Sequence, residues 1–135
     1  MIIQSYPTYH ADEILPLYCA VGWTAYTDVP DTLRAAYAGS LLSLAAYDGD
    51  ALVGMIRAVG DGCTIVFIQD LLVHPDHQRK GIGTALMRAM LARFPHVRQI
   101  ELAADGTPQT RAFYRALGFR EMPELGCCGF MLLQT

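Results

Sequence analysis

The chain has 135 residues, with ten basic and thirteen acidic side chains and a formal net charge of −3 at pH 7. A composition of 53% hydrophobic and 17% charged residues excludes a disordered chain, and the length predicts one domain over residues 1–135. The basic residues are nine Arg and a single Lys, Lys80. The acidic balance argues against a general nucleic-acid binder, which normally carries a basic stripe or face.

No apolar run approaches the ~20 residues that a membrane-spanning helix needs. The segment MIIQSYPTYH lacks the basic and apolar regions of a secretory leader. Cys19, Cys63, Cys127 and Cys128 form no C-x-x-C pair, and no His stands at zinc-finger spacing, so no metal is expected. These features predict a cytoplasmic protein with no membrane and no nucleic-acid partner.

In chain order, Met1–Tyr6 alternates weakly and reads as an edge strand. Asp12–Val21 places Ile14, Leu15, Tyr18 and Cys19 at helical spacing, with Pro16 early enough to be tolerated. A loop follows, and Asp31 is placed to cap a short helix through Tyr37 that ends at Gly39. Leu42–Tyr47 and Leu52–Val59 flank Asp48-Gly49-Asp50, a hairpin signal. Cys63–Val73 is an apolar strand that His74-Pro75 breaks. Gly81–Phe94 reads as a helix with Ile82, Leu86, Met90 and Phe94 on one stripe, and Pro95 stops it. Val97–Ala103 is a strand. Thr107-Pro108 opens a helix that Gly118 closes, proline at the start and glycine at the end. Gly129–Gln134 is predicted to be a last strand, and the segment around Gly126–Gly129 suits pairing with a second copy in a homodimer. Three antiparallel strands and then β-α-β-α-β predict an α/β (α+β) fold: a mixed, mostly antiparallel twisted sheet with helices on both faces.

The segment richest in chemistry is IQDLLVHPDHQRKGIGTALM. A strand ends in a proline-containing loop, and Gln78-Arg79-Lys80-Gly81-Ile82-Gly83 then opens a helix. A helix start offers unpaired N–H groups and partial positive charge, glycines let amides approach anionic oxygens, and Arg79 and Lys80 add charge. This pattern predicts a phosphate or pyrophosphate site; the competing reading is a glycine-containing helix start with solvated basic residues. A Walker A loop is excluded, because no Gly-Lys-Ser/Thr occurs. A dinucleotide fingerprint fits poorly, because Leu86 stands where its third glycine belongs.

Gln78, Gly81 and Gly83, after LLVHP, resemble motif A (Q-x-x-G-x-G) of the GNAT superfamily of acyl-CoA-dependent N-acetyltransferases. Phe113-Tyr114-Arg115-Ala116-Leu117-Gly118-Phe119 resembles the family's second signature, F-Y-x-x-L-G-F, downstream of it. The order of elements from Leu42 to Leu133 matches as well. The resemblance implies that acetyl-CoA is the co-substrate and that an acetyl group passes directly to a primary amine, on a small molecule or a protein. It implies that Leu71, Leu72 and Val73 face the pantetheine arm with backbone groups, the Val73 N–H polarising the thioester carbonyl. Gln78, Arg79, Lys80, Gly81, Ile82, Gly83 and Thr84 then belong to the pyrophosphate-binding segment.

Tyr114 matches the family's proton donor to the departing thiolate; the other reading, from the amphipathic pattern of Phe113, Ala116 and Leu117, is that it edges the core. Asp70 stands near where the family often keeps a general base, and a carboxylate in an apolar strand is costly unless paired, so a structural role, a hydrogen bond to a loop or a pair with Arg57, is the other reading. His74 and His77 are rival bases. The resemblance also directs attention to Trp23, Tyr26, Asp28 and Tyr37 for the acceptor, with Trp23 beside Tyr26 walling an aromatic pocket and core packing as the other reading for Trp23. Thr107 and Thr110 depart from the Asn and Ala common in the family. A non-catalytic acyl-CoA-binding module of the same fold is the alternative function.

Overall fold

The computed structural model describes residues 1–134. Five strands form one sheet in the order β1 (Ile2–Ser5), β2 (Leu42–Asp48), β3 (Ala51–Gly60), β4 (Ile65–Val73) and β5 (Gln99–Leu102). The first three pairings are antiparallel and the β4–β5 pairing is parallel. Gly49 and Asp50 make the β2–β3 hairpin between Asp48 and Ala51, and Gly49 adopts the positive φ of 59° that such a two-residue turn requires. This is the predicted α/β architecture. The helices are α1 (Ala11–Ala20), α2 (Thr24–Thr27), α3 (Pro30–Ala38), α4 (Ile82–Ala92) and α5 (Pro108–Ala116).

Alternation along β3 sends neighbouring residues to opposite faces. Met55 joins Ala45 and Leu72 in a core with Ile14, Leu17 and Tyr18 of α1 and Leu33 and Tyr37 of α3. Gly54 faces the other way. A Cβ at Gly54 would lie 3.1 Å from both Ile82 Cγ2 and Leu86 Cδ1, so glycine lets α4 settle closely on the sheet. Ile82, Leu86, Met87 and Met90 are the buried stripe of α4.

The chain divides into two compact units, residues 1–103 and 104–135. In the second, Thr107 accepts a hydrogen bond from the Thr110 N–H at 3.2 Å, Pro108 takes the first turn, and Gly118 has a φ of 95°. The predicted capping of this helix is therefore present.

The predicted last strand is not: residues 127–134 pair with nothing in the sheet. A strand needs a partner for its amides as well as a suitable sequence, and residues 129–134 pair with none of the five strands. The residues 24–27 form a short helix where only a loop was expected, and the third helix starts at Pro30, with Val29 rather than Asp31 at its cap. The remaining elements lie where expected, with ends displaced by one to three residues as fraying termini allow.

Candidate functional site

The site begins with an irregularity in β4. Opposite β3, Arg57 pairs with Asp70 and Ala58 with Ile68, so Gln69 is an extra residue, a β-bulge. On its other side β4 pairs with β5 only from Ile65 to Ile68, the last partner being Leu102. From Gln69 to Val73 the strand continues with no β5 residue opposite. The His74 N–H bonds to the Val53 carbonyl at 2.8 Å and so points to β3. By alternation the N–H groups of Val73 and Leu71 point to the open side, while Leu72 turns its backbone to β3 and its side chain, 3% exposed, into the core. The cleft-facing amides of the predicted trio are thus those of Leu71 and Val73.

Beyond Val73, a short 3-10 turn spans Pro75–His77, and His74 Nδ1 accepts from the Asp76 N–H at 3.1 Å. His74 therefore spends a ring nitrogen on capping this turn. His77 lies 3.9 Å from an Asp48 oxygen. Gln78 donates from Nε2 to the Val73 carbonyl at 3.1 Å, tying the loop back to the strand end. Sequence reasoning placed Gln78 at the site without this function; the clue was its five-residue spacing from the strand terminus.

Arg79 then takes a φ of 64°, the one non-glycine residue with positive φ among those described, and Gly81 takes 80° as the cap of α4. Left-handed residues at 79 and 81 turn successive amides toward one side, a concavity suited to anions. The strain of a non-glycine residue in this region, ~1–3 kcal/mol, is tolerated chiefly where the surroundings enforce it. Nothing lies within 4 Å of a Cβ built on Gly81, so the space before α4 is open. Open-sided strand amides, this turn, and the exposed Arg79 and Lys80 fit an elongated molecule carrying an amide arm and phosphates.

Asp70 is 2% exposed and Arg57 4% exposed, and Arg57 Nε donates to Asp70 Oδ2 at 2.7 Å. The Tyr18 hydroxyl donates to Oδ2 at 2.9 Å and the Tyr26 hydroxyl to Oδ1 at 2.8 Å. Tyr18 also shares a hydroxyl hydrogen bond of 2.7 Å with Tyr37. Arg57 reaches Ser40 Oγ at 3.2 Å and lies over the Tyr37 ring at 5.4 Å. The carboxylate is thus held by one guanidinium and two phenols drawn from α1 and α2, and the Arg57 pair expected as one reading of Asp70 is present. Burial, with the nearby Asp70 charge, pushes the Tyr18, Tyr26 and Tyr37 phenols above their ordinary range.

Tyr26 connects this knot to the surface, because its hydroxyl accepts from Gln69 Nε2 at 3.2 Å and Gln69 is exposed at the bulge. Trp23 stacks edgewise on Tyr18 with centroids 5.8 Å apart and lies 6.2 Å from Tyr26. Trp23 and Tyr26, both predicted for the acceptor, therefore lie beside the Asp70 group, half-buried. Tyr37 was grouped with them from the sequence, but the part of Tyr18 and the link of these phenols to Asp70 were not foreseen, since no local pattern joins residues 33 to 52 positions from Asp70.

Tyr114 belongs to the second unit, on α5, where its ring packs edgewise against Phe113 at 5.0 Å and Phe119 at 5.8 Å. Burial raises its phenol above the ordinary value, so it holds its proton at neutral pH. Among the described residues no group of three metal-ligating side chains occurs, and no helix is long and apolar enough to cross a membrane.

Comparison with known proteins agrees with this geometry. A family model described as the acetyltransferase (GNAT) family matches residues 8–119. A GNAT-family acetyltransferase from Streptococcus pneumoniae TIGR4 is 39% identical, superposes with a TM-score of 0.89, and the match covers 98% of this chain and 97% of that one. An uncharacterized N-acetyltransferase, ycf52, of Porphyra purpurea is 26% identical over 114 residues, 83% of this chain and 66% of its own length. This chain spans less than two thirds of the first curated relatives it matches. An aminoglycoside 6'-N-acetyltransferase solved with coenzyme A shares the fold, with a TM-score of 0.64 at 21% identity over 87% of this chain and 74% of that one.

Proposed function

The chain belongs to the acetyltransferase (GNAT) family, and from that membership we propose that it transfers the acetyl group of acetyl-CoA directly to a primary amine. The observation that carries this reading is the open side of β4 from Gln69 to Val73, leading into the left-handed turn at Arg79–Gly81. Acetyl-CoA supplies an activated acyl group as its thioester. Leu71 and Val73 hold the pantetheine arm with their free amides, and the Val73 N–H stabilises negative charge developing on the acyl oxygen. Gln78 fixes the orientation of this strand end through the Val73 carbonyl. Amides from Arg79 to Thr84, Ile82 and Gly83 included, receive the pyrophosphate, with Arg79 and Lys80 adding charge.

An alkyl amine is protonated at neutral pH, its pKa being about 10, and must lose a proton before attack. Asp70 meets the cleft through the Tyr26 hydroxyl, and that hydroxyl is the route by which it would draw the proton. Trp23 and Tyr26 flank the acceptor. Tyr114 donates its phenolic proton to the departing thiolate. The acceptor is a small-molecule amine, such as an aminoglycoside, polyamine or amino acid, or a protein amine.

Calorimetric titration with acetyl-CoA, with NADH and ATP as controls, tests the cofactor reading. Saturable binding of acetyl-CoA alone, lost in a folded Gly81→Glu variant, is expected, followed by thiol release with a panel of amines. Tyr114→Phe and Tyr26→Phe should then lower turnover more than they weaken acetyl-CoA binding. Absence of binding by a folded protein overturns the reading, and binding with no turnover on any amine favours a non-catalytic acyl-CoA module.

A further inference from the structure

Along β4 only Gln69 and Asp70 interrupt an apolar run, and Gln69 is the one residue of the strand that is exposed. It has no residue opposite on β3, where it forms the bulge, and none on β5, whose pairing ends at Ile68. Strand pairing therefore asks nothing of its side chain, yet that side chain is held. The Tyr26 hydroxyl gives its single proton to Asp70 Oδ1, so its oxygen can only accept from a further partner. The end of the Gln69 carboxamide that lies 3.2 Å from it is therefore Nε2, the donor end, and the orientation of the amide follows. Oε1 is left with no hydrogen-bond partner among the described residues, a free acceptor on an exposed side chain. Its place along the strand gives that acceptor a use. From Gln69 the chain runs past the cleft-facing amides of Leu71 and Val73 toward the turn at Arg79–Gly81. A molecule with its phosphates on that turn and its arm on those amides has its acyl end toward Gln69.

We propose that Gln69 sets the acceptor specificity of the acetyl transfer argued above, on which this inference rests. Its Oε1 receives the N–H that a primary amine keeps, while the Tyr26 oxygen receives the proton that the amine gives up. Because the two ends of one carboxamide lie close together, the Tyr26 oxygen bonded to Nε2 and the free Oε1 stand within reach of a single nitrogen. A primary ammonium first passes one proton to the Tyr26 oxygen as the Tyr26 proton passes to Asp70 and on to solvent. The nitrogen lone pair then forms the C–N bond, and the carbonyl π pair moves to oxygen. That pair returns as the C–S bond breaks with its electrons on sulfur, and a second proton from nitrogen leaves with the thiol. One N–H survives into the amide product and stays on Oε1 throughout. A secondary amine surrenders every N–H along the same course, so Gln69 has nothing to accept from it at the end. The side chain thus favours primary over secondary amines, and it does so through its oxygen alone.

Thiol release from acetyl-CoA with n-propylamine and with N-methylpropylamine tests this. The wild type should show the higher kcat/KM with n-propylamine. Gln69→Leu should cut the ratio of the two values by about three- to tenfold, through the primary amine. Gln69→Glu keeps an acceptor oxygen and should preserve the preference. Both variants should fold, because the side chain is exposed, and circular dichroism checks this. A Gln69 that merely braced α2 would, on removal, slow both amines alike. A second readout needs no turnover. In the complex with coenzyme A, the nitrogen-15 signals of the Gln69 carboxamide, identified by their absence in Gln69→Leu, should shift with n-propylamine. They should not shift with n-propyltrimethylammonium, which has no N–H. An unchanged ratio, an equal fall for both amines, or carboxamide signals that treat the two cations alike would overturn the proposal, and where neither amine turns over the spectra decide. Calorimetry with acetyl-CoA keeps the two readings apart: a wild type that fails to bind it sinks the acetyl-transfer reading, whereas intact binding and turnover with an unchanged ratio sinks the assignment of Gln69 alone.

Discussion

Residues 1–103 and 104–135 use the same kinds of interaction to different effect. The first unit contains every buried residue of the described chain, among them one ion pair, Arg57–Asp70, with side chains 4% and 1% exposed. The second is rich in ion pairs, Arg111 and Arg115 both meeting Glu121 and Arg115 also meeting Glu124, yet these side chains are 39–50% exposed and nothing beneath them is buried. An exposed pair trades water for a partner at little gain, whereas a buried pair has surrendered water and depends on its partner. Counting charge pairs would rank the second unit as the better stapled; burial reverses the order.

The sharpest way to break the comparison is Asp70→Ala. It leaves the Arg57 guanidinium buried beside Tyr37 with no anion, and deprives the Tyr18 and Tyr26 hydroxyls of their acceptor. A loss of about 3–5 kcal/mol in urea unfolding is expected, enough to unfold a marginal domain. Replacing both members, Arg57→Met with Asp70→Leu, should recover much of that loss, because no unpaired charge remains. If Asp70→Ala costs no more than an exposed pair does, the knot is not the structural centre of residues 1–103.

A smaller effect is expected from Gly54→Val. The added methyl groups meet Ile82 and Leu86, themselves 5% and 0% exposed, so neither neighbour yields freely. Overpacking of this kind costs roughly 1–3 kcal/mol. Because α4 presents the Arg79–Gly81 turn, its displacement should also weaken acetyl-CoA binding in calorimetry. Unchanged stability and affinity would show that α4 is free to ride up on the sheet.

The difference between the units also explains what was legible from residue order. The turn that opens α4 was readable because its parts, Gln78 to Gly83, are contiguous and glycine use reports backbone shape. The hairpin at Gly49 and the caps at Thr107 and Gly118 were readable for the same reason. The Asp70 group was visible only as a suspicion: a carboxylate in an apolar strand demands a partner, and Arg57 was one candidate beside a loop hydrogen bond. Its phenols come from helices whose packing no local pattern dictates, so Tyr18 read as core and Tyr26 as an acceptor wall. The strand predicted at Gly129–Gln134 failed for a related reason. Alternation and apolarity describe what a strand wants to cover, whereas pairing depends on which edge is within reach.

The smallest expected effect sharpens the comparison most finely. Arg115→Ala removes two of the second unit's charge contacts, to Glu121 and Glu124, in one substitution. Those contacts raise the Arg115 guanidinium above its ordinary range and hold Glu124 below its own, yet all the groups stay in water, where salt screens them. The urea midpoint for residues 1–103 should therefore be indistinguishable from wild type at physiological salt. Any loss should appear locally, as faster hydrogen exchange at the end of α5, and should fade as salt is added. A global destabilisation that persisted in high salt would mean that the second unit's charges hold more than themselves, and that its exposure in the single chain understates their worth.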